Sequence, residues 1–322
     1  MKGKIGLEEH FSGEDTLMDS HGFVDDEKWR QLRANLLDMG DRRLAEMDRH
    51  GMERMIVSLN APAVQKIHDT KKAIEVARRA NDLLAEHIAK RPDRFSGFAA
   101  LAMQDPEAAT RELERCVKQL GFVGALVNGF SNIGSPENAV YLDLKQYWDF
   151  WGMVERLDVP FYLHPRQPSQ LKAYEGHPWL IGPAYGFAAE TALHALRLLG
   201  SGLFDKYPKL QLVLGHMGEN LPFTLYRTEQ RIKWSPMGYP AKKSVREYFQ
   251  SNVYITTAGT FRTQTLIDCL LEVGADRILF STDWPFEQVG EAAEWFDATP
   301  ISDNDKQKIG RTNSLKLFKL KG

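Results

Sequence analysis

Lys4-Ile5-Gly6-Leu7-Glu8-Glu9-His10 is the stretch on which the fold turns. A short, mostly apolar segment runs straight into two carboxylates and an imidazole. A doubly wound open sheet, the structural alternative, usually follows its first strand with a glycine-rich phosphate loop. Glu-Glu-His has no phosphate-loop character. It reads instead as a strand with polar chemistry at its C-terminal end, which is where a (β/α)8 barrel keeps its catalytic groups.

Moving outward, the same form recurs. Arg54–Leu59, Phe95–Leu101, Phe122–Val127, Val159–His164, Leu210–His216, Val253–Thr257 and Arg277–Ser281 bring the strand candidates to eight. Most are short apolar runs, the form of strands buried on both faces. Helical stretches lie between them. Lys71–Lys90 sets Ile74, Ala77, Ala80, Leu83, Leu84 and Ile88 near helical spacing. Asp105–Leu120 opens with Asp-Pro-Glu, an N-cap followed by proline in the first turn. Thr265–Val273 ends before Gly274, a helix stop. No linker, low-complexity block or repeat of roughly 20–50 residues interrupts the alternation. The expected architecture is α/β: a single (β/α)8 barrel domain over residues 1–322, with small loop insertions over its C-terminal mouth.

Composition narrows the function. Lys+Arg number 41 against 43 Asp+Glu, a net charge of −2, which argues against non-specific nucleic-acid binding. Cys116 and Cys269 lie too far apart for a CxxC site or a disulfide framework. The first residues are acidic where a signal peptide needs an apolar stretch. No apolar run approaches the roughly 18 residues of a membrane span. A cytoplasmic protein without membrane or nucleic-acid partners is expected.

The strand ends then carry the argument. Side chains alternate along a strand, so Glu8 and His10 point to one side and Glu9 to the other. A carboxylate and an imidazole two residues apart can chelate one divalent ion. The fifth strand ends in Tyr162-Leu163-His164-Pro165-Arg166. The sixth runs into His216-Met217-Gly218-Glu219, and the eighth into Ser281-Thr282-Asp283-Trp284-Pro285. A lone histidine after an apolar strand is more often a hydrogen-bonded core residue, and a lone aspartate can cap the next helix. Here one rim position recurs on four strands, giving two carboxylates and three histidines around one mouth. Burying five such groups without a metal would be costly. His21, His50, His68, His87, His177 and His194 have no such placement and read as structural or exposed. The 166–186 connection, which contains His177, is a candidate cover for the mouth.

These residues sit in longer segments: GKIGLEEHF, SLNAPAVQ, RPDRFSGFAAL, LGFVGALVNGF, LDVPFYLHPR, GHMGE and GADRILFSTDWPFE. Through them the chain resembles, over essentially its whole length, the decarboxylases of the amidohydrolase superfamily. This is the group that contains aminocarboxymuconate semialdehyde decarboxylase, and the likeness is greatest to its branch acting on 2,6-dihydroxybenzoate (γ-resorcylate). Hydrolases of the superfamily usually carry His-x-His on strand one, whereas Glu8-Glu9-His10 follows the hydroxybenzoate decarboxylases. The resemblance implies a (β/α)8 barrel with one divalent ion, Mn²⁺ or Zn²⁺, and no organic cofactor. It implies Glu8, His10, His164 and Asp283 as ligands, with His216 beside the metal and Glu219 holding its ring. It implies substrate contacts at Phe23, Asn128 and Arg227, with Phe286 walling the ring. It also implies a homodimer or homotetramer, in which Arg227 acts in its own or a neighbouring subunit. The run GPAYGFAAETA, with Tyr185 and Ala189, departs from the family pattern.

The implied reaction is non-oxidative decarboxylation of a small aromatic acid, an ortho-hydroxylated benzoate. The first candidate is 2,6-dihydroxybenzoate, giving resorcinol and CO2. The ring carbon that bears the carboxyl must be protonated, and an ionised ortho oxygen pushes electron density towards it. The expected roles are Asp283 as proton donor and His216, paired with Glu219, as its partner. Arg227 would meet anionic charge on the substrate. A metal-dependent hydrolase of a cyclic ester or amide, on the same barrel, is the alternative.

Overall fold

Apolar runs separated by helices close into a barrel when every strand must be covered on both faces. The computed structural model describes residues 1–17, 21 and 24–321. In chain order its strands are β1 (Lys4–Phe11), β2 (Met52–Leu59), β3 (Phe95–Ala99), β4 (Gly124–Asn128), β5 (Ser131–Asn132), β6 (Ala139–Val140), β7 (Phe161–His164), β8 (Leu212–Leu214), β9 (Val253–Thr256) and β10 (Ile278–Leu279). Among the described residues, β1-β2-β3-β4-β7-β8-β9-β10 form one eight-stranded sheet in sequence order, and β5-β6 form a small separate hairpin. Every neighbouring pair of the large sheet is parallel. The expected (β/α)8 barrel is the observed architecture.

Two apolar layers follow from strand alternation. Ile5, Leu7, Ile56, Phe98, Leu126, Tyr162, Val213 and Leu279 form one cluster with Phe318, filling the barrel interior. Their neighbours in sequence face the helices instead, among them Met55, Val57, Phe161, Leu163, Leu212, Leu214 and Ile255. The helices begin where their caps are. Asp69 accepts from Lys72 N at the start of Thr70–Lys90, and Asp105 accepts from Glu107 N and Ala108 N at the start of Pro106–Gln119. Each such cap contributes about 1 kcal/mol. Thr263–Val273 ends at Gly274, whose φ is +77°.

Three strands are shorter than the apolar runs suggest, each for a local reason. β7 starts at Phe161 because Pro160 has no N–H to donate to a ladder. β8 ends at Leu214 because residues 216–220 turn through positive φ. β10 ends at Leu279 because the chain beyond it meets β1 largely through the Ser281 hydroxyl and the Glu9 carboxylate instead of a backbone ladder.

β1 departs from simple alternation. Gly6 pairs with Met55 but Glu9 pairs with Val57, so Leu7 and Glu8 together face Ile56. That extra residue is a β-bulge. It re-phases the strand, so Ile5 and Leu7 point inward at the floor while Glu8 and His10 point inward at the mouth. No helix among the described residues is long and apolar enough to cross a membrane.

Candidate active site

The four strand-end residues converge. Glu8, His10, His164 and Asp283 each offer one ligand atom, and these atoms lie within 4.8 Å of one another. His164 Nε2 is 3.2 Å from Glu8 Oε1. His10 Nε2 is 3.2 Å from Asp283 Oδ1. Glu8 and His10 are fully buried.

Each ligand candidate is anchored on one side and open on the other. His10 Nδ1 pairs with Ser58 Oγ at 3.0 Å, and the Nδ1–H of His164 donates to the Pro165 carbonyl at 3.0 Å. The carbonyl fixes His164 with an Nε2 lone pair for the centre, and His10 presents one when its Nδ1–H donates to Ser58. Glu8 Oε2 accepts from the Tyr162 hydroxyl and from Thr256 Oγ1. Among the described residues Glu8 Oε1 and His10 Nε2 are buried with no hydrogen bond of good geometry, facing His164 and Asp283 respectively, each at 3.2 Å. Orphaned buried polar atoms are expensive, and two of them aimed at one point, flanked by His164 and Asp283, fit a single divalent ion. The mixed oxygen and nitrogen donors suit Mn²⁺ or Zn²⁺.

His216 stands beside this cluster on an unusual piece of backbone. His216, Met217, Gly218, Glu219 and Asn220 have φ of 48°, 55°, 79°, 55° and 67°. Non-glycine residues rarely adopt that region, and strain of this kind gathers at functional sites. The turn brings His216 Nδ1–H to Glu219 Oε1 at 2.7 Å and His216 Nε2 to within 3.4 Å of Asp283 Oδ2. Gly215 is obligatory before it, since a Cβ there would sit 2.7 Å from Glu8 Oε2. Burial disfavours a charged ring, but the carboxylates of Glu8 and Glu219 outweigh it and hold His216 well above the usual imidazole range. Asp283 moves the other way. Burial raises it, and His10 and His216 more than offset this, leaving it below the ordinary carboxylate range. Both shifts run towards the charged form of each partner.

The cluster lies at the inner end of a cavity of about 1720 Å³. Common ligand pockets hold roughly 300–1,000 Å³, so a single small molecule would fill only part of it. Phe286 lines it, with its ring 5.6 Å from that of His10, edge to face. The 166–186 connection covers the mouth as expected, through Gln167, Pro168, Ser169, Leu171, Pro183, Ala184 and Tyr185. His177 is outside that lining.

Other expected contacts are placed differently. Asn128 is buried at the end of β4, in register with His164. It lies behind the lining, its backbone N–H bonded to Gln65 Oε1 and its own Oδ1 without a partner. Arg227 is on the helix Leu221–Trp234, exposed and away from the cavity of its own chain. A helix position reveals a face only when its neighbours are known. Phe23 falls outside the described residues. The supporting partners Ser58, Tyr162, Thr256 and Gln65 went unread. Tyr162 had a signal, since it precedes His164 by two and so shares its face.

Comparison with known proteins is consistent with this geometry. The amidohydrolase family model matches residues 28–320, and the chain belongs to that family. Its relatives narrow the class further. A γ-resorcylate decarboxylase of Polaromonas sp. (strain JS666) is 62% identical over 324 residues, 99% of each chain. A crystal structure of 2,6-dihydroxybenzoate decarboxylase with 2,6-dihydroxybenzoate bound matches at a TM-score of 0.98 and 61% identity, over 99% of this chain and 100% of that one. A dihydroxybenzoic acid decarboxylase from Polaromonas sp. JS666, with manganese and the inhibitor 2-nitroresorcinol, matches at 0.97 and 62% identity, over 99% and 97%.

Proposed function

We propose that this chain is a carbon–carbon lyase that converts 2,6-dihydroxybenzoate to resorcinol and CO2, using one divalent ion held by Glu8, His10, His164 and Asp283. The observation that carries the reading is the four-residue cluster at the barrel mouth, in a chain 62% identical end to end to a γ-resorcylate decarboxylase. Manganese, bound in the Polaromonas relative, is the first ion to test. The cyclic-ester or amide hydrolase is not favoured by these relatives.

When bound, the ion supplies Lewis-acid stabilisation for a doubly oxygenated, anionic substrate. The protein does the rest. Phe286 walls the ring at the inner end of the cavity. Asp283 turns Oδ1 towards His10 and Oδ2 towards His216, so one oxygen can face the ligand cluster while the other handles a proton. A metal-held carboxylate is a poor acid alone, and His216 answers this. Its Nε2–H passes to Asp283 Oδ2, which delivers the proton to the carboxyl-bearing carbon. The C–C bond to the carboxylate then breaks, its electron pair restores the aromatic ring, and CO2 leaves. Glu219 keeps the His216 ring aligned through Nδ1 and stabilises its charged form.

Arg227 enters this scheme from outside. It shares its helix with Phe223, Tyr226 and Trp234, exposed by 62%, 64% and 80%. We assign this apolar face to a homodimer or homotetramer in the cytoplasm, in which Arg227 meets the anionic substrate of a neighbouring subunit. Phe23 completes the proposed contacts, whereas Asn128, behind the lining, supports the end of β4 through Gln65.

The test loads the metal-free protein with Mn²⁺ or Zn²⁺ and follows resorcinol release from 2,6-dihydroxybenzoate. Salicylate, 2,3- and 2,4-dihydroxybenzoate run in parallel. Metal-dependent resorcinol is the expected product. Turnover of another hydroxybenzoate alone would move the substrate and keep the mechanism. No turnover of any of them with metal bound would overturn the reading.

A further inference from the structure

Among the described residues no ladder closes the barrel between its first and last strands. β1 and the chain after β10 share one isolated bridge, Glu9 with Trp284. Two backbone bonds cross near it, His10 N to Trp284 O at 2.6 Å and Asp283 N to Glu8 O at 2.9 Å. The remaining bonds across this seam use side chains. Ser281 Oγ accepts from both Leu7 N and Glu8 N, at 3.1 and 2.6 Å. These are the two residues of the β1 bulge, so one hydroxyl takes both of its N–H groups. The same hydroxyl donates to Glu9 Oε1 at 3.1 Å. The Glu9 carboxylate also accepts from Thr282 N, Thr282 Oγ1 and Trp284 N. A fully buried carboxylate is thus used up by four donors from the segment that carries Asp283. Space was cleared for it, because a Cβ at Gly6 would sit 2.2 Å from Glu9 Oε1.

We propose that Ser281 and Glu9 are positioning residues that lock the β1 bulge to the 281–284 segment and so set the mutual spacing of Glu8, His10 and Asp283. Neither residue is among the four that converge on the centre. Ser281 holds the bulge that turns Glu8 and His10 inward. Glu9 holds the residues on either side of Asp283. Three of the four candidate ligands straddle this one seam, and His164 alone is carried by a continuous backbone ladder on both sides. The inference rests on the reading that these four residues hold a divalent ion.

The experiment measures Mn²⁺ binding to metal-free wild type, Ser281→Ala and Glu9→Gln, by the loss of the free-ion electron paramagnetic resonance signal. The spectrum of the bound ion and a thermal melt are recorded alongside. Glutamine at position 9 presents an NH2 to two groups that themselves donate, so the pairing cannot be kept. Both variants are expected to fold and to bind Mn²⁺ about 10- to 100-fold more weakly, with an altered bound-ion spectrum. Asn81→Ala is the control. It removes a buried side chain that ties two elements through Ala100, away from the seam, and should lower the melting temperature while leaving Mn²⁺ affinity alone. Unchanged affinity and spectrum in folded Ser281→Ala and Glu9→Gln would overturn the proposal. Should either fail to fold, Thr282→Val removes only the hydroxyl that reaches Glu9 and is judged by the same criterion. A wild type that binds no Mn²⁺ would sink the metal-site reading itself, whereas equal binding by wild type and variants sinks only this inference.

Discussion

The inner and outer ends of the cavity are built by different rules. At the inner end Glu8, His10 and His164 are buried on strands, and each spends one polar atom on a fixed partner, Tyr162, Ser58 or the Pro165 carbonyl. At the outer end Leu171 and Tyr185 are 47% and 54% exposed, in a connection that contains short 3-10 turns. The connection is tied down at its start by Arg166, which donates to the carbonyls of Gln65 and Phe130 and to Asn132 Oδ1, and again three residues on. Ser169 N donates to Glu190 Oε2, and the Tyr141 hydroxyl bonds both Glu190 and Ser169. Strands hold Glu8, His10 and His164, Asp283 and His216 follow just beyond strand ends, and the outer loops present the surface that a substrate crosses on entry. Losses at the inner end should therefore fall on turnover and metal affinity, and changes at the outer end on substrate affinity.

The largest expected effect is at Asp283. Asp283→Asn keeps the size and one oxygen donor but cannot carry the proton, so kcat should fall by about 10³-fold or more. Stopped assays of resorcinol release measure it, and an active Asp283→Asn enzyme would remove Asp283 from the role of acid. Next comes the His216 arm. Glu219→Gln leaves the ring without its anionic partner and should cost about 10²-fold in kcat, with little change in bound metal. An unchanged rate would mean that the pairing at 2.7 Å is structural only. Tyr162→Phe is smaller. It takes one donor from Glu8 Oε2 and leaves Thr256, so Mn²⁺ affinity should weaken by about 10-fold. Competition against a chelator reads this, and wild-type affinity would confine Tyr162 to packing.

The helix that carries Glu190 has its own test, through pH. His194 is buried on the helix Gly186–Gly200, where Nε2 accepts from Leu142 N at 3.0 Å and Nδ1 has no partner. Burial, aided by Arg197, holds this imidazole down at about 3, against an ordinary value of 6.5. The unfolded chain therefore binds a proton here that the folded chain refuses. The contribution is complete above pH 6.5 and is lost progressively as pH falls towards 3, on the order of 1.4 kcal/mol per pH unit. Denaturant melts across that range should slope accordingly, and His194→Gln, which keeps an acceptor but does not titrate, should flatten the slope. An identical slope in the variant would assign the acid lability elsewhere. The smallest effect is at the rim: Tyr185→Ala should move KM by about threefold or less, near 0.6 kcal/mol, and leave kcat alone. A large fall in kcat would make the rim part of the reacting site.

The inner end was also the more legible end in sequence. Strand-end residues such as His164 and Asp283 follow apolar runs whose period and direction are local, so the barrel order places them at one mouth. Arg227 shows the limit. Its helix was readable, but which surface that helix presents depends on every element packed beneath it, and the face carrying Arg227 points to solvent. Asn128 was correctly placed at the end of β4, yet its backbone is held by Gln65, a residue 63 positions away. Pairings at that distance leave no trace in local pattern.

Residue types and their order determined the eight-strand alternation, the helix cap at Asp105, and the set of carboxylates and imidazoles that can chelate. These are short-range matters of propensity, capping and ligand chemistry. The tertiary structure decided which of those groups meet. Strict alternation from Ile5 and Leu7 would turn Glu9 inward. The inserted residue opposite Ile56, held by a hydroxyl more than 270 residues away, turns Glu8 and His10 inward instead. The left-handed turn at 216–220 likewise exists because Glu219, Asp283 and Glu8 reward it from three directions. Such choices depend on partners that only the closed barrel brings within reach.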